Sequence, residues 1–159
     1  MNKTMRDTES DQYVHGMDWL SGELEELELS NYRKYQYALV AGHMGRNILE
    51  VGSGDRSFTN QIVRHAGQID RVISIEPSVT LFKLHENKYK FPDHVSFHMM
   101  DLFDMAGDTF GLFDTALFVH VLEHIEKDRD ALDKVHELLL PGGKVLIEVP
   151  ALPFLFSIQ

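Results

Sequence analysis

Cysteine is absent from this 159-residue chain. That excludes a disulfide scaffold, a cysteine nucleophile and any zinc site built on thiolates. Long apolar runs are missing too. The longest, Thr115 to Leu122, is interrupted by His120 and falls far short of the ~20 residues needed to cross a bilayer. The opening MNKTMRDTESDQ lacks the apolar stretch of a secretory signal, which predicts a cytoplasmic protein with no membrane span. Positive charge is scarce: 15 Lys and Arg stand against 25 Asp and Glu, for a formal charge of −10. So acidic a chain is a poor non-specific partner for nucleic acid or an anionic membrane, and a small-molecule partner is expected instead. Internal repeats, low-complexity tracts and a linker to a second domain are also absent. What remains, 43% hydrophobic and 25% charged residues, is the composition of one globular domain with a sizeable core.

Residues 1 to about 12 are polar and predict a mobile tail. From Asp18 to about Gly42 the spacing is helical, with Leu20, Leu24, Leu27, Tyr35 and Leu39 as the apolar stripe and Asn31 as a break between two helices. Region 1–42 is thus read as a tail plus helices, and 43–159 as the principal domain. There Asn47–Val51, Arg71–Ile75, Val95–Met99, Phe113–Val119 and Lys144–Val149 read as five strands. Helices are expected at Ser57–Ala66, Val79–Lys90 and Asp128–Leu140, the last stopped by Pro141-Gly142-Gly143. Leu102 to Leu112 is only weakly helical. Strands alternating with helices predict an α/β, Rossmann-like, doubly wound and mostly parallel sheet with helices on both faces.

The unusual polar residues collect at the carboxyl ends of these strands. Glu50 and the turn Gly52-Ser53-Gly54 end the first, Glu76 the second and Asp101 the third; His120, Glu123 and His124 end the fourth. Those ends form the crevice where open parallel sheets bind ligands. Glycines there let the backbone turn sharply and approach a ligand closely. A carboxylate at Glu76 suits the two hydroxyls of a ribose, and one at Asp101 suits an exocyclic amine. The loop has no lysine, so it is not a Walker loop. Glu50 beside it would repel a pyrophosphate, which favours a cationic ligand over a dinucleotide.

The chain here resembles the class I S-adenosylmethionine-dependent methyltransferases, especially the broad small-molecule group called type 11 or type 12. The resemblance covers about residues 45 to 153. It rests on Ile48-Leu49-Glu50-Val51-Gly52-Ser53-Gly54, Ser74-Ile75-Glu76-Pro77, Met100-Asp101, Phe113-Asp114 through Val121-Leu122-Glu123-His124-Ile125, and Leu139-Leu140-Pro141-Gly142-Gly143-Lys144. It implies transfer of a methyl group from S-adenosyl-L-methionine to a small-molecule acceptor, with S-adenosyl-L-homocysteine as product. By the same resemblance Glu50, Gly52 and Gly54 line the methionine moiety, Glu76 holds the ribose and Asp101 the adenine. Val119 and His120 flank the methionine end, and Ser53, Pro77 and Leu102 complete the cofactor-binding set. His120 or His124 is available as an optional general base.

Two departures stand out. The family's third glycine is replaced by Arg56, whose side chain would reach solvent, reach the cofactor carboxylate or narrow the pocket. The family's last two strands have no counterpart before Gln159, so a fragment is expected, or else a second copy, a partner or the Leu152–Phe156 tail covering the fifth strand's edge. One alternative is a cofactor-binding domain without catalysis. Another is a zinc hydrolase, because His120-Val121-Leu122-Glu123-His124 matches H-x-x-E-H; the competing expectation is no metal, with Glu123 and His124 orienting the turn. Tyr32, Tyr35 and Tyr37 read as core rather than as a gate over the acceptor.

Overall fold

The computed structural model describes residues 23–65 and 67–150, except the side chains of 23–30 and 65. The expected mobile tail, the first turn of the expected helix at 18–22, its end at Ala66 in the second helix, and the 151–159 segment all lie outside the described residues. The elements are α1 (Glu23–Val40), β1 (Asn47–Val51), α2 (Ser57–His65), β2 (Arg71–Ile75), α3 (Val79–Leu84), β3 (Val95–His98), α4 (Gly107–Phe110), β4 (Phe113–Val119), α5 (Asp128–Leu138) and β5 (Leu139–Glu148). Short 3₁₀ turns occupy Ala41–His43, Leu102–Asp104 and Leu122–His124.

The five strands form one sheet in the order β3-β2-β1-β4-β5, and every neighbouring pair is parallel. This is the Rossmann-like sheet the alternating pattern predicts. The chain runs outward from β1 through β2 to β3, then returns past β1 to β4. Strand order therefore reverses between β1 and β4, the place where such sheets bind ligands.

Side chains alternate across the sheet because the strand period is two. Ile48, Val72, Leu117 and Val119 pack with Val40 of α1 and with Phe58 and Ile62 of α2. Leu49, Val51, Ile73, Ile75, Ala116 and Phe118 pack with Ala131, Val135 and Leu138 of α5. Burial on both faces explains why these strands read as nearly continuous apolar runs.

Several boundaries differ from the sequence reading, each for a local reason. Asn31 does not divide α1, which runs unbroken. The buried face of α1 is also rotated: Gln36 and Val40 are buried, whereas Tyr35 and Leu39 are exposed. Tyr32 is exposed as well, so the core reading fails for Tyr32 and Tyr35 and holds only for half-buried Tyr37, which packs on the α2-side core. The third helix stops at Leu84, where the capping N–H of His85 turns back to Leu81 O and Lys83 O. β5 begins at Leu139, immediately after α5. Leu139 pairs with Phe113 and Lys144 with Thr115, so Pro141-Gly142-Gly143 loops out of the ladder, as a residue without an N–H requires. β5 is the outer strand among the described residues, with Ile147 exposed along it.

Asp114 ties the start of β1 to β4. Its carboxylate accepts hydrogen bonds from Arg46 N and Asn47 N, each at 2.9 Å, and from Thr115 Oγ1 at 3.0 Å. Partial burial alone would raise its pKa, but the Asn47 and Arg46 N–H groups outweigh that and hold it below the usual carboxylate range. A carboxyl whose folded pKa is depressed stabilises above its unfolded pKa, about 3.9, and loses that contribution as pH falls through the folded value. Asp114→Asn is therefore expected to lower stability at pH 7 and to flatten the acid limb below about pH 4. Urea midpoints measured across that range check this; an unchanged acid limb would contradict it.

Candidate active site

The turn after β1 is pinned by backbone. Gly52 N and Ser53 N both donate to Ile75 O, at 2.9 and 3.0 Å. Gly52 and Gly54 have φ of 79° and 47°, a region that side chains disfavour. A Cβ on Gly52 would sit 2.5 Å from Val121 Cγ2, so the segment after β4 presses directly on this glycine. A Cβ on Gly54 would meet nothing within 4 Å. The loop thus presents bare backbone to open space at the β1/β4 reversal.

Glu76, buried at the end of β2, reaches the same loop. Its Oε2 accepts from Gly54 N at 2.8 Å and its Oε1 from Ser78 N at 2.9 Å. Ser78 in turn caps α3 through Leu81 N. Pro77 is half-buried beside it. One strand over, Glu76 N donates to His98 O at 3.0 Å, and three residues beyond His98 lies Asp101. Asp101 accepts from Phe103 N at 3.0 Å and so caps the turn that holds buried Leu102. The glycine loop and Glu76 are in contact, then, and Asp101 sits on the adjoining strand end.

Glu50 is placed differently from the reading that set it beside the loop. Strand parity turns it toward α2, where it is 2% exposed. Its carboxylate accepts from Thr59 Oγ1 at 2.5 Å and Ser74 Oγ at 2.7 Å. Burial dominates and raises its pKa to about 7, although the Thr59 and Ser74 hydroxyls pull the other way.

Arg56 takes none of the three courses expected of it. It is 4% exposed with φ of 62°. Its guanidinium lies 4.2 Å from the Phe97 ring centroid and 5.0 Å from that of Phe82. It donates to Glu86 O at 2.9 Å and Phe82 O at 3.2 Å, closing the carboxyl end of α3. Its side chain is thus committed to α3 and Phe97.

A polar chain that the sequence reading missed runs beneath α1. Lys88 Nζ donates to Asp55 Oδ2 at 2.9 Å, and Ser57 Oγ donates to Asp55 Oδ1 at 2.5 Å. Arg33 Nε donates to Ser57 Oγ at 2.9 Å and its Nη1 to Gln36 Oε1 at 2.8 Å. Gln36 Nε2 donates to Glu148 Oε1 at 2.6 Å. Burial would raise the Asp55 pKa, but the Ser57 hydroxyl and Lys88 outweigh it and hold the group ionised below its usual range. The one signal in the sequence was that residues 32, 33 and 36 share a helical face, which the apolar stripe through Tyr35 and Leu39 concealed.

His120 follows β4 with φ of 55°. Its Nε2 is 3.0 Å from Tyr32 Oη and 3.4 Å from Glu148 Oε1, and its Nδ1 is 3.8 Å from Glu123 Oε1. The His124 side chain is 62% exposed, 4.0 Å from Glu123. The zinc reading needed His120 and His124 on one α-helical face. His120 instead precedes a single 3₁₀ turn, Leu122–His124, whose geometry does not align residues four apart. Among the described residues no cluster of three or more His, Asp or Glu is arranged to hold a metal, and no helix is long and apolar enough to cross a membrane.

A family model described as a methyltransferase domain matches residues 23–157. The chain belongs to that family. Two relatives show its breadth. A ubiquinone biosynthesis O-methyltransferase from Pseudomonas paraeruginosa is 23% identical over 107 residues, covering 67% of this chain and 45% of the relative. A tRNA U34 carboxymethyltransferase from Desulforapulum autotrophicum is 31% identical over 106 residues, covering 65% of this chain and 31% of the relative. The chain thus spans less than half the length of either. Among solved structures, the N-methyltransferase NodS from Bradyrhizobium japonicum has a TM-score of 0.61 at 23% identity, covering 76% of this chain and 67% of that one. The glycopeptide N-methyltransferase MtfA has a TM-score of 0.57 at 24% identity, covering 72% and 51%. At these identities the structural likeness speaks for the fold, and the fold agrees with the class I methyltransferase resemblance.

Two outcomes follow for this methyltransferase domain. Gly52→Ala forces a Cβ onto Val121 and a side chain into positive φ; it is expected to cost at least ~1–2 kcal/mol from the backbone alone, read in urea denaturation. Glu50, whose folded pKa lies above its unfolded value, binds a proton more tightly when native. Stability contributed by its protonated form is complete below about pH 4.5 and is lost as pH rises toward 7. Glu50→Gln should therefore remove a decline in melting temperature over that interval. A variant whose decline matches the parent's would show that Glu50 does not titrate there.

Proposed function

We propose that this chain is an S-adenosylmethionine-dependent methyltransferase that moves a methyl group to a small-molecule acceptor. The observation that carries the reading is the contact between Glu76 and Gly54 at the β1/β4 reversal, with open space in front of Gly54. These residues fit a nucleoside bearing a cationic chain. Gly52, Ser53 and Gly54 give close backbone approach for the methionine portion. Glu76 would hold the ribose hydroxyls, since a carboxylate oxygen accepts more than one hydrogen bond. Asp101 would meet the adenine amine, with Pro77 and Leu102 as walls. Val119 and His120 would border the methionine end. Glu50 would act from beneath the loop, its ionised form favoured by a positive charge above.

When bound, the sulfonium cofactor supplies an activated methyl group, and the protein's own task is alignment and exclusion of water. A dinucleotide suits the site less well: its pyrophosphate would meet the Glu76 carboxylate at the loop, with no lysine there to balance it. The formal charge of −10 supports a small acceptor over a nucleic acid.

Titration calorimetry tests the reading. S-adenosylmethionine and S-adenosylhomocysteine are expected to bind and NAD is not. Glu76→Gln should weaken both by roughly tenfold or more, the worth of a hydrogen bond to a charged group. Absence of binding by the first two would sink the proposal. Binding with no turnover over an acceptor library would instead favour a cofactor-binding domain without catalysis.

A further inference from the structure

His120 is held by more structure than a turn requires. It is a non-glycine residue at φ of 55°, a conformation that costs of order 1 kcal/mol and persists where its surroundings impose it. Its backbone N donates to Glu148 O at 2.9 Å, and its ring faces the Glu148 side chain. That carboxylate is itself fixed: Gln36, fully buried, donates to Oε1, and Arg33 fixes Gln36 in turn. Glu148 Oε2 is buried and meets no donor among the described residues. On the open side, Tyr32 of α1 closes on His120 Nε2 with its ring edge-on to the imidazole. Burial, followed by the charge of Glu148, raises the Tyr32 pKa, so its phenol stays protonated at neutral pH. Three elements remote in sequence thus converge on one imidazole beside the β1/β4 reversal.

We propose that Tyr32, His120 and Glu148 form the proton-handling group of the methyl-transfer site, and that the acceptor therefore carries a hydroxyl. The inference rests on the methyltransferase reading above. A hydroxyl is a weak nucleophile until a base removes its proton, whereas an amine that arrives neutral attacks without that step, so an oriented base suits a hydroxyl acceptor. Nε2 faces Tyr32 Oη at 3.0 Å and the Glu148 carboxylate, an acceptor, at 3.4 Å; a ring proton on Nε2 would serve both and leave Nδ1 able to take another. The hydroxyl oxygen bonds to the methyl carbon, the carbon–sulfur bond breaks with its electron pair going to sulfur, and the hydroxyl proton moves to Nδ1. Glu123, 3.8 Å from Nδ1, and Glu148 then balance the imidazolium charge. His120 touches the acceptor; Glu148 and Tyr32 are positioning residues.

The test has two readouts, both made on the full chain after calorimetry has shown that it binds S-adenosylmethionine. The first is the two-bond proton–nitrogen correlation spectrum of histidine-labelled protein. His120 is expected as the Nε2–H tautomer in the parent and in Glu148→Asp, with that preference lost in Glu148→Gln. The second is S-adenosylhomocysteine formation with catechol and with benzylamine as probes. Catechol should be methylated. His120→Asn, which tolerates positive φ, should lower kcat about 100-fold with KM within ~3-fold, and should remove the acid limb of the kcat profile. The titratable groups facing the ring are Tyr32 from α1, Glu123 from the turn after β4, and Glu148 from β5, so Tyr32→Phe and Glu148→Gln should shift that limb. A bare Nε2 in the parent, parental kcat in His120→Asn, or methylation of benzylamine but not catechol would each overturn the proposal. A chain that binds no S-adenosylmethionine would strike the cofactor reading instead.

Discussion

The site depends on a backbone-to-backbone grip. Gly52 N and Ser53 N share one acceptor, Ile75 O at the end of β2, while Val121 from the far side of the sheet's reversal lies against Gly52. The first contact joins the loop to β2 and the second joins it to the segment after β4. A side chain at Gly52 would break the second even if the first survived. With both in place Glu76 is delivered to Gly54, and the loop needs no lysine or metal to hold its shape. The arrangement is cheap in side chains, which leaves the front of the loop open.

Polar groups bear the rest of the load, and their burial constrains them. Glu50, Asp55, Arg56, Ser57, Thr59 and Ser74 are all buried around α2 and the strands it covers. Such groups are tolerated in the interior only when hydrogen-bonded. Asp55 meets this by staying ionised between Ser57 and Lys88, whereas Glu50 meets only two hydroxyls and burial dominates. Two carboxyls five residues apart, one in β1 and one in the turn after it, are therefore shifted in opposite directions. The difference lies in the deeper burial of Glu50 and in the Ser57 hydroxyl and N–H groups and Lys88 that bond directly to Asp55.

Much of this was legible in the sequence because local rules govern it. The strands are apolar runs of the right length, the glycines mark a turn that needs positive φ, and βα alternation dictates a parallel sheet. The acids at successive strand ends followed from the same alternation. What escaped notice was set by contacts between distant residues. Nothing local marks Gln36 as a core residue, because its burial depends on Glu148, 112 positions away. Leu39 obeyed helical periodicity and is exposed all the same, because the face of α1 was chosen by Arg33, Gln36 and Val40. Glu50 was read by its position in the chain, whereas its side-chain direction came from strand parity and the hydroxyls of Thr59 and Ser74.

Arg56 shows how a departure from a family pattern can be absorbed. The position demands positive φ, which glycine adopts freely and arginine adopts at a cost of order 1 kcal/mol. Against that, the guanidinium gains two carbonyl acceptors at the end of α3 and two aromatic faces. A cation at a helix carboxyl end and a cation over an aromatic ring each favour the charged side chain by ~0.3–1 kcal/mol, and they act against both the backbone penalty and the cost of burying the guanidinium. The substitution also welds the glycine loop to α3, which a glycine could not do. The position thus keeps a positive φ while its side chain is anchored to the carboxyl end of α3 and to Phe97, away from the open face of Gly54.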